Sequence, residues 1–145
     1  MRDQLADGFR YDLWANLKWV DILPRFQDRE RAETVLRHVL NAQHVWLTRS
    51  LSAEEVPNLP ADLTEGLQSM NAAWIEFLRI SDPEAFVSYT TFKGEPYFNT
   101  VEQIARHVVN HGTYHRGQLR GLAQAEGWDD FEDTDLIRWH RETSS

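Results

Sequence analysis

Apolar residues recur at intervals of three and four along four long segments of the chain, the spacing that aligns side chains on one side of an α-helix. We therefore predict helices over about residues 3–23, 29–51, 63–80 and 100–126. The first ends near Pro24, because proline cannot continue a helix interior. The fourth begins with Thr100 and Gln103, a capping-box pair, and stops at Gly127.

The stretch between the third and fourth helices has a different pattern, AFVSYTTFKGEPYFNT. It is rich in β-branched and aromatic residues and offers Lys93 and Gly94 as a turn, which predicts a small β-hairpin. A short last helix is predicted over about residues 134–141. The chain is therefore predicted to be all-α: a four-helix bundle with the hairpin before the last bundle helix and a short C-terminal helix, forming one domain over residues 1–145.

Composition narrows the function classes. The formal net charge of −8 argues against nucleic acid as a partner, because phosphate binding needs a basic surface. The chain has no apolar run of about 18 residues and no signal-peptide pattern, so we expect no membrane span and a cytoplasmic location. Cysteine is absent, which excludes disulfides, thiolate metal ligands and a cysteine nucleophile. Any thiol chemistry would therefore use a thiol carried by a small molecule.

Three histidines recur every four residues in HVVNHGTYHRGQL, namely His107, His111 and His115. Four residues make about one helical turn, so the three share a side of the fourth helix. At about 100° per residue, His115 points into the middle of the apolar stripe, with His111 ~40° and His107 ~80° to one side. His107 and His115 are ~12 Å apart along the helix axis, too far to bind one ion. The pair His111 and His115 is therefore preferred as metal ligands, with His107 at the edge of the site.

A metal site built on that pair needs a third ligand from another helix. His44 is the candidate, because it occupies a core position of the second helix with Leu40 and Leu47 on either side. His38 lies ~120° from His44 and is expected to face solvent. The competing interpretation is that inward histidines are hydrogen-bonded core residues. Three of them on two helices favour a metal site made by His44, His111 and His115, because burying all three without partners would be unfavourable.

The ligand set predicts the chemistry of the site. Neutral imidazoles leave the charge of a divalent ion uncompensated, and zinc in such sites keeps a position open for water or substrate. An ion of this kind lowers the pKa of a bound water or thiol. The metalloprotease pattern, with a glutamate directly after the first histidine, is absent, as is the Glu-x-x-His of di-iron bundles. The expected ion is Zn²⁺ or Ni²⁺.

Two further residues are candidates for binding a cofactor or substrate. Gln118 lies one turn from His115 and two turns from His111 on the same side of the helix, so it could orient a ligand or contact the substrate. Arg116 lies about 100° from His115 and could bind a carboxylate at the rim of the pocket. The alternatives are a polar residue at the edge of the apolar stripe for Gln118 and a solvated or structural arginine for Arg116.

Two surfaces suggest a further packing interface. Gly117 and Gly121 lie on the face of the fourth helix opposite His115, where small residues would let another backbone approach closely. The second helix also has an apolar side away from His44, made of Val35, Val39, Ala42 and Trp46. We therefore expect a twofold-symmetric homodimer.

Five stretches carry a family resemblance: HVVNHGTYHRGQL, NAQHVWL, YDLWAN, FKGEPYFNT and DTDLIRWHRE. They resemble the DinB family of the DinB/YfiT-like superfamily, which are helical-bundle proteins and not the polymerase that shares the name. The resemblance covers essentially the whole chain. It implies a four-helix bundle, a divalent metal held by three residues, here matched by His44, His111 and His115, and often a homodimer.

The resemblance also implies an activity. Several members of the superfamily resemble metal-dependent enzymes that use low-molecular-weight thiols such as bacillithiol, mycothiol or glutathione. This favours a metal-dependent thiol S-transferase that acts on a small-molecule electrophile and needs no protein nucleophile. Two alternatives stay open: a metal-dependent hydrolase, in which the ion activates water, and a non-catalytic metal-binding or ligand-binding protein in stress response. The family is better supported than any one reaction.

Overall fold

The computed structural model describes residues 1–52 and 54–144. Its elements, in chain order, are α1 Arg2–Ile22, a 3-10 turn Leu23–Arg25, α2 Arg29–Ser50, α3 Leu63–Ile80, β1 Phe86–Thr90, β2 Pro96–Thr100, α4 Val101–Ala125 and α5 Leu136–Thr143. The predicted fold class is confirmed. The chain has four long helices, a short antiparallel hairpin between α3 and α4, and a short last helix. Among the described residues, no helix is long and apolar enough to cross a lipid bilayer.

Side-chain caps define where the helices begin. The predicted capping box of α4 is present: the hydroxyl of Thr100 accepts the N–H of Gln103 at 3.1 Å, and the side-chain oxygen of Gln103 accepts the N–H of Thr100 at 3.0 Å. Asp28 caps α2 in a similar way by accepting the N–H of Arg31 at 3.1 Å. Each such cap contributes about 1 kcal/mol. The cap on α4 starts this helix directly after β2 and so sets where its histidines lie.

The core lies between the four long helices. Phe9 of α1 and Trp74 of α3 stack with their ring centroids 4.9 Å apart. Leu36 of α2 and Leu119 of α4 are completely buried. Burial of one such side chain contributes about 1.5–3 kcal/mol. Because α2 and α4 pack against each other and share this core, their relative position at the candidate site is well determined.

Helix α2 presents two sides to its neighbours. One side faces α3, where Trp74 donates its indole N–H to the backbone oxygen of Gln43 at 3.0 Å. On the same side, a Cβ added to Gly66 would come within 2.7 Å of a methyl group of Leu40. Glycine therefore lets α3 approach α2 closely at this point.

The other side of α2 faces α4. The ring of His38 lies against the rings of His111 and His115, and the ring of Trp46 lies against that of His107. From His38 to Trp46 the residue numbers rise along α2, whereas the numbers of their partners on α4 fall from His115 to His107. The two helices are therefore antiparallel. This antiparallel contact is the seam on which the candidate site is built.

The homodimer remains a prediction. The apolar side of α2 that suggested it packs within the chain instead: Val35 and Val39 are buried, and Trp46 packs on α4. The glycine face of α4 is open, because a Cβ added to Gly117 or Gly121 would meet no described atom within 4 Å. Light scattering at micromolar concentration tests the prediction, and a monomer would contradict it.

Candidate metal centre

Three histidine rings meet on the seam between α2 and α4. His38 comes from α2, and His111 and His115 are one turn apart on α4. Their ring centroids are separated by 5.0 Å for His38 and His111, 4.5 Å for His38 and His115, and 4.4 Å for His111 and His115. One nitrogen of each ring lies within 4.8 Å of a nitrogen of both others. Three potential ligands therefore converge on one point.

The spacing and the donor type fit a single small cation. The Nε2 atoms of His111 and His115 are 3.1 Å apart. Two nitrogens bound to one tetrahedral Zn²⁺ at about 2.0–2.1 Å would be roughly 3.4 Å apart. Imidazole nitrogens also suit zinc, nickel and neighbouring transition metals. The three-histidine group could therefore hold a divalent metal ion.

Gln118 orients one of these rings. Its side-chain oxygen lies 2.9 Å from Nδ1 of His115. When Nδ1 carries the proton and donates to this oxygen, Nε2 of His115 keeps its lone pair and points toward His111. Metal-binding histidines commonly have such a partner for their second nitrogen, since it fixes both the tautomer and the ring orientation. This geometry gives Gln118 a ligand-orienting position, while direct contact with a cofactor stays a prediction.

The local environment keeps two of the three rings, those of His111 and His38, uncharged. Burial lowers the pKa of His111 to about 4, with further lowering from the nearby His115, His38 and His107. Burial, and then the neighbouring His115, also lowers the pKa of His38. At neutral pH both rings are therefore in the uncharged form, which is the form that binds metal ions.

The cluster is open to solvent and carries no acid. His38 is exposed, and His111 and His115 are half-buried. None of the ion pairs in the described part of the chain involves a histidine. An ion held by these rings would keep most of its positive charge and could be reached by a small molecule. Structural zinc sites differ, because they are closed by four protein ligands.

His44 is not part of this group, and the predicted metal-ligand trio of His44, His111 and His115 stays a prediction. It is half-buried on α2, and His38 takes the place that the sequence analysis gave to His44. The reason is that α2 packs against both α3 and α4. The stripe through Leu40 and Leu47 faces the core, whereas His38 lies on the side that faces α4. His38 is exposed, as expected, but its ring also lies against the rings of His111 and His115 on α4.

A signal for His38 is present in the sequence. It lies ~60° from Val35 and ~40° from Ala42 around the helix, inside the second apolar side of α2. That side was assigned to a dimer partner, and it packs on α4 instead. A histidine on an apolar side is a better metal-ligand candidate when the facing helix also carries histidines.

Arg116 lies away from the histidine cluster, in a buried polar network with α1. It is 3% exposed, and its guanidinium donates to a carboxylate oxygen of Asp12 at 2.5 Å and to the amide oxygen of Asn16 at 2.8 Å. Gln43 donates to the second Asp12 oxygen at 2.7 Å. Burial raises the pKa of Asp12, and the guanidinium and the amide donors oppose that rise. These contacts match the structural-arginine alternative, and a role of Arg116 in binding a carboxylate substrate stays a prediction.

His107 lies at the edge of the cluster, as expected. Its ring centroid is 6.1 Å from that of His111 and 5.3 Å from that of Trp46. It lines two cavities. The larger, of about 890 Å³, runs between α1 and α4, and the smaller, of about 270 Å³, lies on the α2–α4 seam. Of these two cavities, the smaller one lies on the side of α4 that faces α2, where the three rings converge.

Comparison with known proteins identifies one family. The model of the DinB family matches residues 1–130. This span contains α1 to α4 and all three converging histidines. No curated protein and no solved structure gives a significant match. The family resemblance seen in the sequence is thereby confirmed.

Proposed function

This chain belongs to the DinB family, and we propose that it is a metal-dependent enzyme that transfers a low-molecular-weight thiol to a small electrophile. The proposed metal ligands are His38, His111 and His115. The observation that carries the proposal is the convergence of three imidazole nitrogens at a place that solvent can reach.

The proposed site would bind Zn²⁺ or Ni²⁺. When bound, such an ion would favour the thiolate form of a small thiol near neutral pH. The protein's own contribution is positioning: Gln118 orients His115, and burial keeps His111 uncharged. The exposure of His38 leaves room for the thiol to enter from solvent.

Two observations favour thiol transfer over hydrolysis at this site. The chain has no cysteine, so a sulfur nucleophile has to come from a cosubstrate. The described histidines make no ion pair with a carboxylate, so no carboxylate is bonded to these rings as a ready base for water. A thiol depends less on such a base than water does, because its pKa is much closer to neutral before it binds the ion.

The metal ligands are tested by elemental analysis of tag-free protein. We expect about one Zn or Ni per chain in the wild type, and loss of that metal in His38→Ala and in His115→Ala. His44→Ala is the matched control, since it removes a histidine from the same helix as His38 while leaving the cluster intact. Circular dichroism checks that each variant is folded.

Two outcomes would contradict the ligand assignment. Metal loss in His44→Ala with full metal in His38→Ala would restore the trio that includes His44. No metal in any sample, even after addition of Zn²⁺ or Ni²⁺, would make the histidines hydrogen-bonding residues and remove the basis of the enzyme.

The reaction is tested by thiol consumption. Metal-loaded protein is incubated with glutathione, mycothiol or bacillithiol and an electrophile, and the remaining thiol is measured. We expect consumption that requires the metal and is lost in His115→Ala. A metal-loaded wild type that consumes none of these thiols faster than the metal-free protein would contradict thiol transfer while leaving metal binding intact.

A further inference from the structure

The smaller cavity on the α2–α4 seam lies beside the metal centre. It has a volume of about 270 Å³ and is lined by Trp46, Tyr89, Asn99, Gln103, Ile104 and His107. The ring of His107, which lines the cavity, has its centroid 6.1 Å from that of His111. Its volume is near the small end of the range for ligand pockets, so it fits one ring with a short side chain.

The aromatic walls of this cavity are held in place. Trp46 and Tyr89 meet edge to face with their centroids 5.0 Å apart. The guanidinium of Arg49 lies over both rings, 4.5 Å from the centroid of Trp46 and 5.2 Å from that of Tyr89. Such contacts fix aromatic orientation. The cavity therefore offers a flat apolar surface for a flat, unsaturated ligand.

Two side-chain amides in the wall of this cavity leave N–H donors for a ligand. The amide oxygen of Asn99 accepts the hydroxyl of Tyr89 at 2.6 Å. The amide oxygen of Gln103 accepts from the Asn99 side chain at 3.0 Å and from the backbone of Thr100 at 3.0 Å. The Nε2 group of Gln103 has no hydrogen-bond partner among the described residues, and one N–H of Asn99 is also left over. A ligand with an acceptor oxygen would be matched by these donors.

We propose that this cavity binds the electrophile of the proposed reaction and that the electrophile is a small α,β-unsaturated ketone. Its unsaturated body would lie against Trp46, and its carbonyl oxygen would accept from Gln103. The thiolate sulfur forms a bond to the β carbon, the carbon–carbon π bond breaks, and its electrons move toward the carbonyl. The proton given up by the thiol is returned to the α carbon, so the adduct contains all atoms of both reactants. The chemical role rests on the proposed function, whereas binding in the cavity does not.

The variant Gln103→Glu separates ligand binding from helix capping. Glutamate keeps the side-chain oxygen that caps α4, because Ser/Thr with Glu is also a capping box, but it has no N–H to donate. Trp46→Leu removes the flat ring and keeps an apolar side chain. Trp14→Leu is its control, since Trp14 is a half-buried tryptophan of α1 that also lies under cations and is not part of the cavity.

Binding is measured first with benzylacetone, a saturated ketone that cannot react with thiols. Its Kd is obtained by NMR titration of the metal-loaded and metal-free protein. We expect saturable binding that is weakened about tenfold or more in Gln103→Glu and in Trp46→Leu, with no change in Trp14→Leu. Metal content and the midpoint of thermal unfolding should stay at the wild-type value in Gln103→Glu.

Reaction is then measured with benzylideneacetone, the unsaturated analogue, in the thiol-consumption assay. We expect KM for the ketone to rise about tenfold in both cavity variants while the metal stays bound. No saturable benzylacetone binding, or equal Kd values in Trp46→Leu and wild type, would overturn the proposal. A weaker Kd in Gln103→Glu but not in Trp46→Leu would also overturn the proposal. Gln103 lines the larger cavity as well, so the ketone would then be bound there. Bound benzylacetone without consumption of thiol by benzylideneacetone would overturn the assignment of the unsaturated ketone as the electrophile. Metal-dependent thiol consumption with another electrophile would then leave the proposed function intact.

Discussion

Two polar clusters start from adjacent residues of α4 and have opposite properties. His115 joins a cluster of three imidazoles that is open to solvent and has no acid. Arg116 joins a cluster in which a cation, the Asp12 carboxylate and amide groups satisfy one another away from water. Both contain residues that could serve chemistry. Only the first brings several metal-binding nitrogens together at a place that solvent can reach, and that is the property that favours a binding site.

The difference follows from helix geometry and packing. Adjacent residues are ~100° apart around a helix, so His115 and Arg116 face different neighbours. His115 faces α2, where it meets His38. Arg116 faces α1, where it meets Asp12 and Asn16. Substitution of a residue in the buried cluster should therefore reduce the stability of the fold. Substitution of a histidine in the open cluster should instead reduce metal binding.

The largest expected effect is on the buried cluster. Arg116→Ala should lower the free energy of unfolding by about 3–5 kcal/mol, because it leaves the Asp12 carboxylate buried without its cation. Urea denaturation measures the change. Arg120→Ala is the control, as Arg120 is exposed on the same helix and should change stability by less than about 0.5 kcal/mol. Equal small effects of both substitutions would mean that the network does not stabilise the fold.

Removal of metal from the open cluster should lower the free energy of unfolding by less than Arg116→Ala does. With free metal at about 100 times its Kd, chelation should lower the free energy of unfolding of the wild type by about 2.7 kcal/mol. Urea denaturation with and without chelator measures the change. In His38→Ala the chelator should have no effect. The same loss in His38→Ala would place the stabilising metal somewhere else.

A matched pair of glycine substitutions compares the two sides of α4. A Cβ on Gly112 would lie 2.3 Å from a carboxylate oxygen of Asp12, whereas a Cβ on Gly117 would meet nothing. Gly112→Ala should therefore lower the free energy of unfolding by about 2 kcal/mol, and Gly117→Ala should raise it by up to about 1 kcal/mol. Thermal or urea unfolding of both variants checks this. Stabilisation by Gly112→Ala would show that Asp12 can move without loss of its contacts.

The smallest expected effect concerns orientation within the open cluster. Gln118→Ala should weaken metal affinity about tenfold without changing the number of metal ions bound, since it removes the partner of Nδ1 of His115. Competition with a metallochromic chelator measures the affinity. Gln124→Ala serves as control, because Gln124 is an exposed glutamine near the end of the same helix. Unchanged affinity in Gln118→Ala would mean that packing alone orients His115.

Part of the candidate site could be predicted from the sequence. His111 and His115 share a helix, so their periodicity was enough to bring them together. The position of Gln118 beside His115 followed from the same spacing. The α2 ligand could not be chosen in this way, because both His38 and His44 lie on sides of α2 that are partly apolar, and periodicity does not say which neighbouring helix covers which side.

The burial of Arg116 was also beyond the sequence. Its partner Asp12 is 104 residues away, and it is the approach of this carboxylate to Gly112 that explains a glycine inside α4. The glycines of α4 predicted that another backbone approaches this helix closely, and the predicted positions were Gly117 and Gly121. A Cβ at either of these positions would meet no described atom within 4 Å.

The sequence by itself determined the four amphipathic helices, the hairpin, the capping box of α4 and the pairing of His111 with His115, because all of these depend on neighbours within a few residues. The tertiary structure alone decided that His38 completes the cluster and that Arg116 belongs to a buried network. The physical reason is that a helix's rotation about its own axis is set by how all its apolar sides pack against the other helices, and that rotation decides which residues of distant segments meet.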